Sequence, residues 1–247
     1  MDNELGYELG SWVVSQIDIP DVRTSFTLHD MEWEILPEVW PPFHDPGTSL
    51  FTSWVPYEKA DSFLDMGCGT GIGAVLAAQR GCTRVVATDI NPAAAESTRR
   101  NAVRHGVADR VTALSGDLFE AVDPDERFDI VFWNTPFIEA PEDRPYRKQI
   151  ERAVFDPGYG LLRGFFQDVR AHLAEGGLVY LGTSEIMGNL RKTLSAAAEA
   201  GFESYRYRSE TVEMPAADFG ATPAVAANTN DHGMVDMDFT LYEFSRR

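Results

Sequence analysis

Four polar residues stand where short apolar runs end: Asp65 in SFLDMG, Asp89 in RVVATDI, Asp117 in RVTALSGD and Asn134 in FDIVFWNTPF. A polar side chain at the carboxyl end of a core strand is placed to meet a ligand, although turn capping explains each carboxylate taken alone. The first run continues into DMGCGTGIGA, residues 65 to 74, which opens a helical pattern. Its glycines 67, 69 and 71 let the backbone turn tightly and approach a ligand, and the helix that follows offers free N–H groups. Gly69, Gly71 and Ala74 satisfy the dinucleotide spacing G-x-G-x-x-A, with Asp89 downstream as a ribose ligand. That pattern alone is weak.

Asp65 separates two readings of the loop. A carboxylate at its mouth would repel a pyrophosphate, but it complements the ammonium of an amino-acid-bearing cofactor. S-adenosylmethionine (SAM) carries an ammonium, a ribose and an adenine, and no phosphate. Asp89 would then grip the ribose hydroxyls, Asp117 would accept from the adenine amino group, and Leu118 would lie beside the ring. Cys68 and Ile90, next to these positions, complete the expected lining.

The ordered set LDMGCGTGIGA, VVATDINPAA, SGDLF and FDIVFWNTPF resembles the successive motifs of class I SAM-dependent methyltransferases, over roughly residues 40 to 190. The downstream run FDPGYGLLRGFFQDVRAHLAEGGLVYLGTSEI is similar to the HemK-type and "small domain" N-methyltransferases. The resemblance implies a Rossmann-like α/β fold and a methyl-transfer site at Asn134, Thr135, Pro136 and Phe137, where the family carries Asn-Pro-Pro-Tyr or Phe. In such a motif the Asn134 oxygen and the carbonyl of residue 135 hold the two N–H bonds of a planar nitrogen, aiming its lone pair at the methyl group. Phe137 offers a stacking face. Thr135 departs from the family's first proline; the expectation is a loosened turn, with its carbonyl kept extended by Pro136. Glu139, Glu185 and Trp40 are candidate acceptor-binding residues, with Trp12, Trp33 and Phe43 as further apolar cover. The expected acceptor is an amide, amine or guanidine of a small molecule, a cationic one suiting the acidic field; protein glutamine is the alternative. A methyltransferase-like binding subunit and an NAD-dependent oxidoreductase are further readings.

These residues need a sheet to hold them. Alternation of apolar runs with helical patterns predicts an α/β protein with seven strands, mostly parallel, helices on both faces and an antiparallel last strand. The strands fall at 62–67, 84–90, 110–117, 128–134, 177–183, 203–212 and 237–245. Residues 1–55 read as an N-terminal extension covering the substrate, and 56–247 as the SAM-binding catalytic domain. Within the extension, FTLHDMEWEILPEVWPPF alternates like a hairpin or strand, and DPGTSLFTSWV reads as a capped helix start. Residues 214–234 lack periodicity and read as a long loop, a lid or mobile.

Composition sets the outer bounds. The formal net charge of −18 disfavours a polyanionic partner, so nucleic acid is an unfavoured partner. Two cysteines and five scattered histidines suggest neither a disulfide framework nor a metal site. The start MDNELGYELG lacks the basic and apolar segments of a signal peptide, and no apolar run is long enough for a membrane span, so a cytoplasmic protein is expected.

Overall fold

The computed structural model describes residues 4–17, 24–44 and 46–247. In chain order its helices and strands are α1 (Glu4–Ile17), β1 (Ser25–Leu28), β2 (Met31–Glu34), α2 (Gly47–Trp54), β3 (Ser62–Met66), α3 (Ile72–Gln79), β4 (Arg84–Asp89) and α4 (Pro92–Arg104). There follow β5 (Val111–Ser115), β6 (Phe128–Asn134), β7 (Ile138–Ala140), β8 (Phe155–Pro157), α5 (Gly160–Val169), β9 (Leu173–Thr183), α6 (Leu190–Glu199), β10 (Phe202–Pro215), α7 (Pro223–Ala227) and β11 (Met234–Arg246).

The seven expected strands form one sheet in the order β10-β11-β9-β6-β3-β4-β5. Pairing is parallel from β9 through β5, and β11 runs antiparallel to both its neighbours. Every residue of β3 is buried, as a central strand covered on both faces requires. Its side chains alternate between two cores: Phe63 packs with Phe132 and Ile130 under α1 to α4, while Leu64 and Met66 pack with Val131 and Trp133 against α5. Helix α3 is apolar all round, because it lies against the sheet beneath other elements.

Strand order reverses at β3: β4 lies on one side and β6 on the other. A crevice opens at the carboxyl ends of strands where such a reversal occurs. Register aligns those ends, with Met66 opposite both Thr88 and Trp133, Asp89 opposite Ser115, and Asn134 opposite Gly182. The four polar residues read from the sequence therefore share one rim.

The extension holds more structure than its sequence pattern suggested. The expected hairpin is β1–β2, turning through His29 and Asp30, both with positive φ. Buried Asn101 of α4 fastens it, accepting from the Glu34 N–H at 2.8 Å and donating to the carbonyls of Glu34 and Thr70, each at 2.8 Å. Helix α2 forms where a capped start was read, but its cap, Pro46, supplies no side-chain bond; Asp45 lies outside the described residues.

Helix α1 was not anticipated. Leu5, Gly6, Leu9, Gly10 and Val14 make its buried stripe, and two glycines in that stripe hide its period from a hydrophobicity reading. Residues 214–234 are also not one long loop: β10 runs on to Pro215, a 3₁₀ turn spans Ala216–Phe219, and α7 follows. Thr222 caps α7 by accepting from the Val225 N–H, with Pro223 in the first turn, a start signal that the small residues around it obscure. Glu8 of α1 accepts from the Ala224 N–H at 3.1 Å, so the two helices form one packed layer. Among the described residues no helix is long and apolar enough to cross a membrane.

A Cβ at Gly6 would sit 2.0 Å from the Met187 carbonyl oxygen, so α1 docks only because that position is bare. Gly6→Ala should cost about 1–3 kcal/mol, read as a lower urea midpoint, whereas exposed Ser11→Ala should stay within about 0.5 kcal/mol. Equal midpoints for the two variants would refute this docking.

Candidate active site

The glycine loop is shaped by three left-handed residues, Gly67, Gly69 and Gly71, with φ of 64°, 54° and 82°. A side chain at Gly71 would strike Thr98 at 2.8 Å, whereas nothing stands within 4 Å of a Cβ at Gly69. The loop is therefore packed on its α4 side and open at its middle. Cys68 lies within it, its thiol accepting from the Thr98 hydroxyl at 3.2 Å, and burial first, then Asp89, pushes that thiol well above its ordinary range. It is a packing residue facing the cavity, not a nucleophile.

Asp65 is 3% exposed, and its Oδ2 accepts the Ala74 N–H, in the first turn of α3, at 2.8 Å. Since Gly71 has no side chain to cap the helix, this carboxylate takes one of its open donors from the strand below. Desolvation pushes the Asp65 pKa up to about 8, against the lowering effect of the Ala74 bond. Its other oxygen accepts no hydrogen bond among the described residues, and the residue lines the cavity. A buried acid with one open oxygen suits an ammonium.

Asp89 sits on the neighbouring strand and is more engaged than the sequence implied: Oδ2 accepts from Gly69 and Oδ1 from Asn91, each at 2.9 Å. Burial raises its pKa as well. Each oxygen keeps a lone pair for a hydroxyl. Ile90, Asp117 and Leu118 line the same cavity, Leu118 in the left-handed region at φ 48°, a conformation uncommon for a branched residue. Gly67, Cys68 and Gly69 are in the lining too, while Gly71 shapes the loop from behind.

Asn134 ends β6, and its Nδ2 donates to Thr48 Oγ1 of α2 at 3.4 Å, leaving the carboxamide oxygen as the acceptor. Thr135 does not loosen the turn. Its N–H at 3.4 Å and its hydroxyl at 2.9 Å both reach the Gly182 carbonyl of β9, two bonds a proline could not donate. The Phe137 carbonyl accepts from the Tyr159 hydroxyl at 2.6 Å, and that hydroxyl accepts from the Asn189 N–H at 2.7 Å. Thr48 and Tyr159 were absent from the sequence reading, because nothing local shows which distant residue will meet a motif.

The rim opens into a cavity of about 240 Å³ that reaches from Asp117 past Asn134 and Phe137 to a roof of Leu9, Val13, Met187, Met214 and Phe219. Trp40 lines it as expected. Trp33, fully buried, instead packs against the tilted His105 ring at 4.5 Å, and Trp12 packs on Phe219 at 6.3 Å. Neither Glu139 nor Glu185 is in the lining. Glu139 pairs with Lys192 at 2.5 Å, and Glu185 pairs with Arg206 and accepts from Tyr242. The two carboxylates expected to receive a cationic acceptor are thus spent on structure, a pairing invisible until β7, β9, α6 and β10 are brought together.

Because the folded Asp65 pKa lies above its ordinary value, its contribution to stability is full below about pH 4 and fades as pH climbs toward 8. Asp65→Asn should therefore flatten the fall in urea midpoint between pH 5 and 8. An unchanged slope would contradict the burial argument.

A family model described as the methyltransferase small domain matches residues 42–196. A Methanocaldococcus jannaschii protein, provisionally named a protein N5-glutamine methyltransferase, is 28% identical over 71% of this chain and 87% of its own length. The release factor glutamine methyltransferase of Cereibacter sphaeroides is 34% identical over 57% of this chain, which spans about half (53%) of that relative. A Porphyromonas gingivalis tRNA1(Val) (adenine(37)-N6)-methyltransferase is 35% identical over 40% of this chain and 43% of its own. Among solved structures, the precorrin-6y C5,15-methyltransferase of Geobacter metallireducens superposes with TM-score 0.55 at 14% identity, covering 87% of this chain and 93% of that one. That likeness shows the fold. With well over half of its residues matched by the family model, the chain belongs to the methyltransferase small domain family and is a SAM-dependent methyltransferase.

Proposed function

We propose that the protein methylates a planar nitrogen, and that the acceptor is a small molecule enclosed beneath α1. The Asn134 carboxamide carries this reading: its nitrogen is tethered to Thr48, which aims its oxygen to receive an N–H. Asp65 would hold the SAM ammonium, Asp89 the ribose and Asp117 the adenine. SAM supplies a methyl on a sulfonium, and displacement by the acceptor nitrogen breaks the carbon–sulfur bond and releases S-adenosylhomocysteine.

An amide or aniline-like nitrogen is a poor nucleophile while its lone pair is delocalised. Asn134 Oδ1 and the Thr135 carbonyl, each taking one N–H, turn that lone pair out of the plane, and Phe137 fixes the plane by stacking. The Gly182 bonds hold the Thr135 carbonyl in place. The nitrogen sheds one proton, to water, after transfer. No side-chain base is required.

The apolar roof contributed by this chain's own α1, Met214 and Phe219 supports a small acceptor. A second reading, a protein glutamine acceptor, is supported by the names of the relatives from Methanocaldococcus jannaschii and Cereibacter sphaeroides. Radiolabelled methyl transfer from SAM into source-cell extract decides between them: label should appear in the soluble pool, and label in the protein pellet would favour glutamine. Asn134→Ala should lower transfer by about 10²–10³-fold with SAM affinity nearly intact; retained transfer would remove Asn134 from the mechanism. Burial raises the Asp65 pKa to about 8, and an ammonium beside it would draw that pKa down, so SAM binding near pH 7 should release protons. Calorimetry in buffers of different ionisation enthalpy reads this, and no release would place the ammonium elsewhere.

A further inference from the structure

Arg152 is the one lysine or arginine among the described residues lining the cavity, where the other charged side chains are Glu38, Asp65, Asp89 and Asp117. In a chain with 39 acidic residues it has no carboxylate within ion-pair distance among the described residues. Its neighbour Glu151, 5% exposed, is taken instead by Arg144 at 2.8 Å. What Arg152 touches is the face of Tyr146, its guanidinium carbon 4.4 Å from the ring centroid.

The segment that carries it is fixed. Tyr146 donates to the Phe155 carbonyl at 2.8 Å, and Arg144 lies over the Phe155 ring at 4.0 Å. Two residues beyond Arg152, the Val154 carbonyl accepts from the Ile138 N–H, immediately after Phe137. This short link ties the segment that carries Arg152 to the chain just beyond the motif. Stacking on Tyr146 covers one face of the guanidinium but leaves its in-plane N–H donors for a ligand.

We propose that Arg152 binds a carboxylate of the methyl acceptor, a specificity contact that rests on reading this part of the cavity as the acceptor site. A guanidinium pairs bidentately with carboxylate or phosphate. Glu38, Asp89 and Asp117 on the same walls disfavour a dianion or a phosphodiester chain, so a single negative charge fits the field. The acceptor is then a planar-nitrogen compound bearing one carboxylate. The cation expected from the composition is replaced by an anion at the one place where the wall is positive.

Protein loaded with S-adenosylhomocysteine should be titrated calorimetrically with 4-aminobenzoate and with 4-aminobenzamide, which share a planar amine and differ in charge. The carboxylate should bind about tenfold or more tightly; Arg152→Gln should equalise the two, Arg152→Lys should keep part of the preference, and S-adenosylhomocysteine affinity should not move. Equal affinity or no binding in the wild type overturns the proposal. So does an Arg152→Gln variant that loses S-adenosylhomocysteine affinity instead, since Asp117 acts on the same Tyr146 ring and lies on the side assigned to the adenine. Absence of label transfer into extract would sink the methylation reading alone, because this selectivity is measured without turnover.

Discussion

A carboxyl group buried beside the first turn of a helix organises the centre of this molecule. Asp65 could be buried only if something replaced its lost hydration, and the Ala74 N–H in the first turn of α3 supplies part of it. For that turn to come close enough, position 73 must be bare, because a Cβ there would meet the Asp65 oxygen at 2.8 Å. To bring the chain from the end of β3 to that turn, the loop must pass through left-handed conformations that only glycine adopts cheaply. Around that contact, α3 is buried from Ile72 through Ala78. One electrostatic arrangement thus accounts for the glycines and the open floor at Gly69, and it stores charge sensitivity where a cationic ligand group would relieve it.

The sheet was legible because its central strands are buried on both faces and write uninterrupted apolar runs between turn residues. The antiparallel last strand was legible because no helical pattern separates β10 from β11. Pattern failed where an element takes its burial from a neighbour far along the chain. Helix α1 buries glycines against Met187, Ile138 and Val154, a stripe without hydrophobic contrast. Helix α7 has only five residues, mostly small.

The site divides in the same way. The rim from Asp65 to Asp117 was legible as one cavity edge because each residue is fixed by its own strand end. The surroundings of Asn134 were not, because Thr48, Tyr159 and the roof come from segments far apart in the chain, from α1 to the 3₁₀ turn at Ala216–Phe219. Glu139 and Glu185 were misread for the complementary reason: sequence shows a carboxylate near a strand mouth but not the Lys192 or Arg206 that captures it. Thr135 shows how a departure from the motif that the sequence resemblance implies can keep the same backbone geometry. A proline ring and a pair of bonds to Gly182 are alternative ways of fixing one carbonyl, the first by covalent geometry and the second by hydrogen bonding to the adjacent strand.

Strand β10 is the outermost of the sheet and, at fourteen residues, extends far enough to bring Met214 into the roof. Reach of that kind leaves a long row of backbone donors and acceptors without a neighbouring strand, an invitation to self-templating polymerisation. Glu203, Arg206, Arg208, Glu210 and Glu213 punctuate it, and a bulge between Arg206 and Arg208 bends it out of flatness. A second copy laid alongside would have to bury those charges, in addition to overcoming the mutual repulsion of two strongly acidic molecules. Colloidal restraint is thereby written into the strand whose far end helps enclose the cavity.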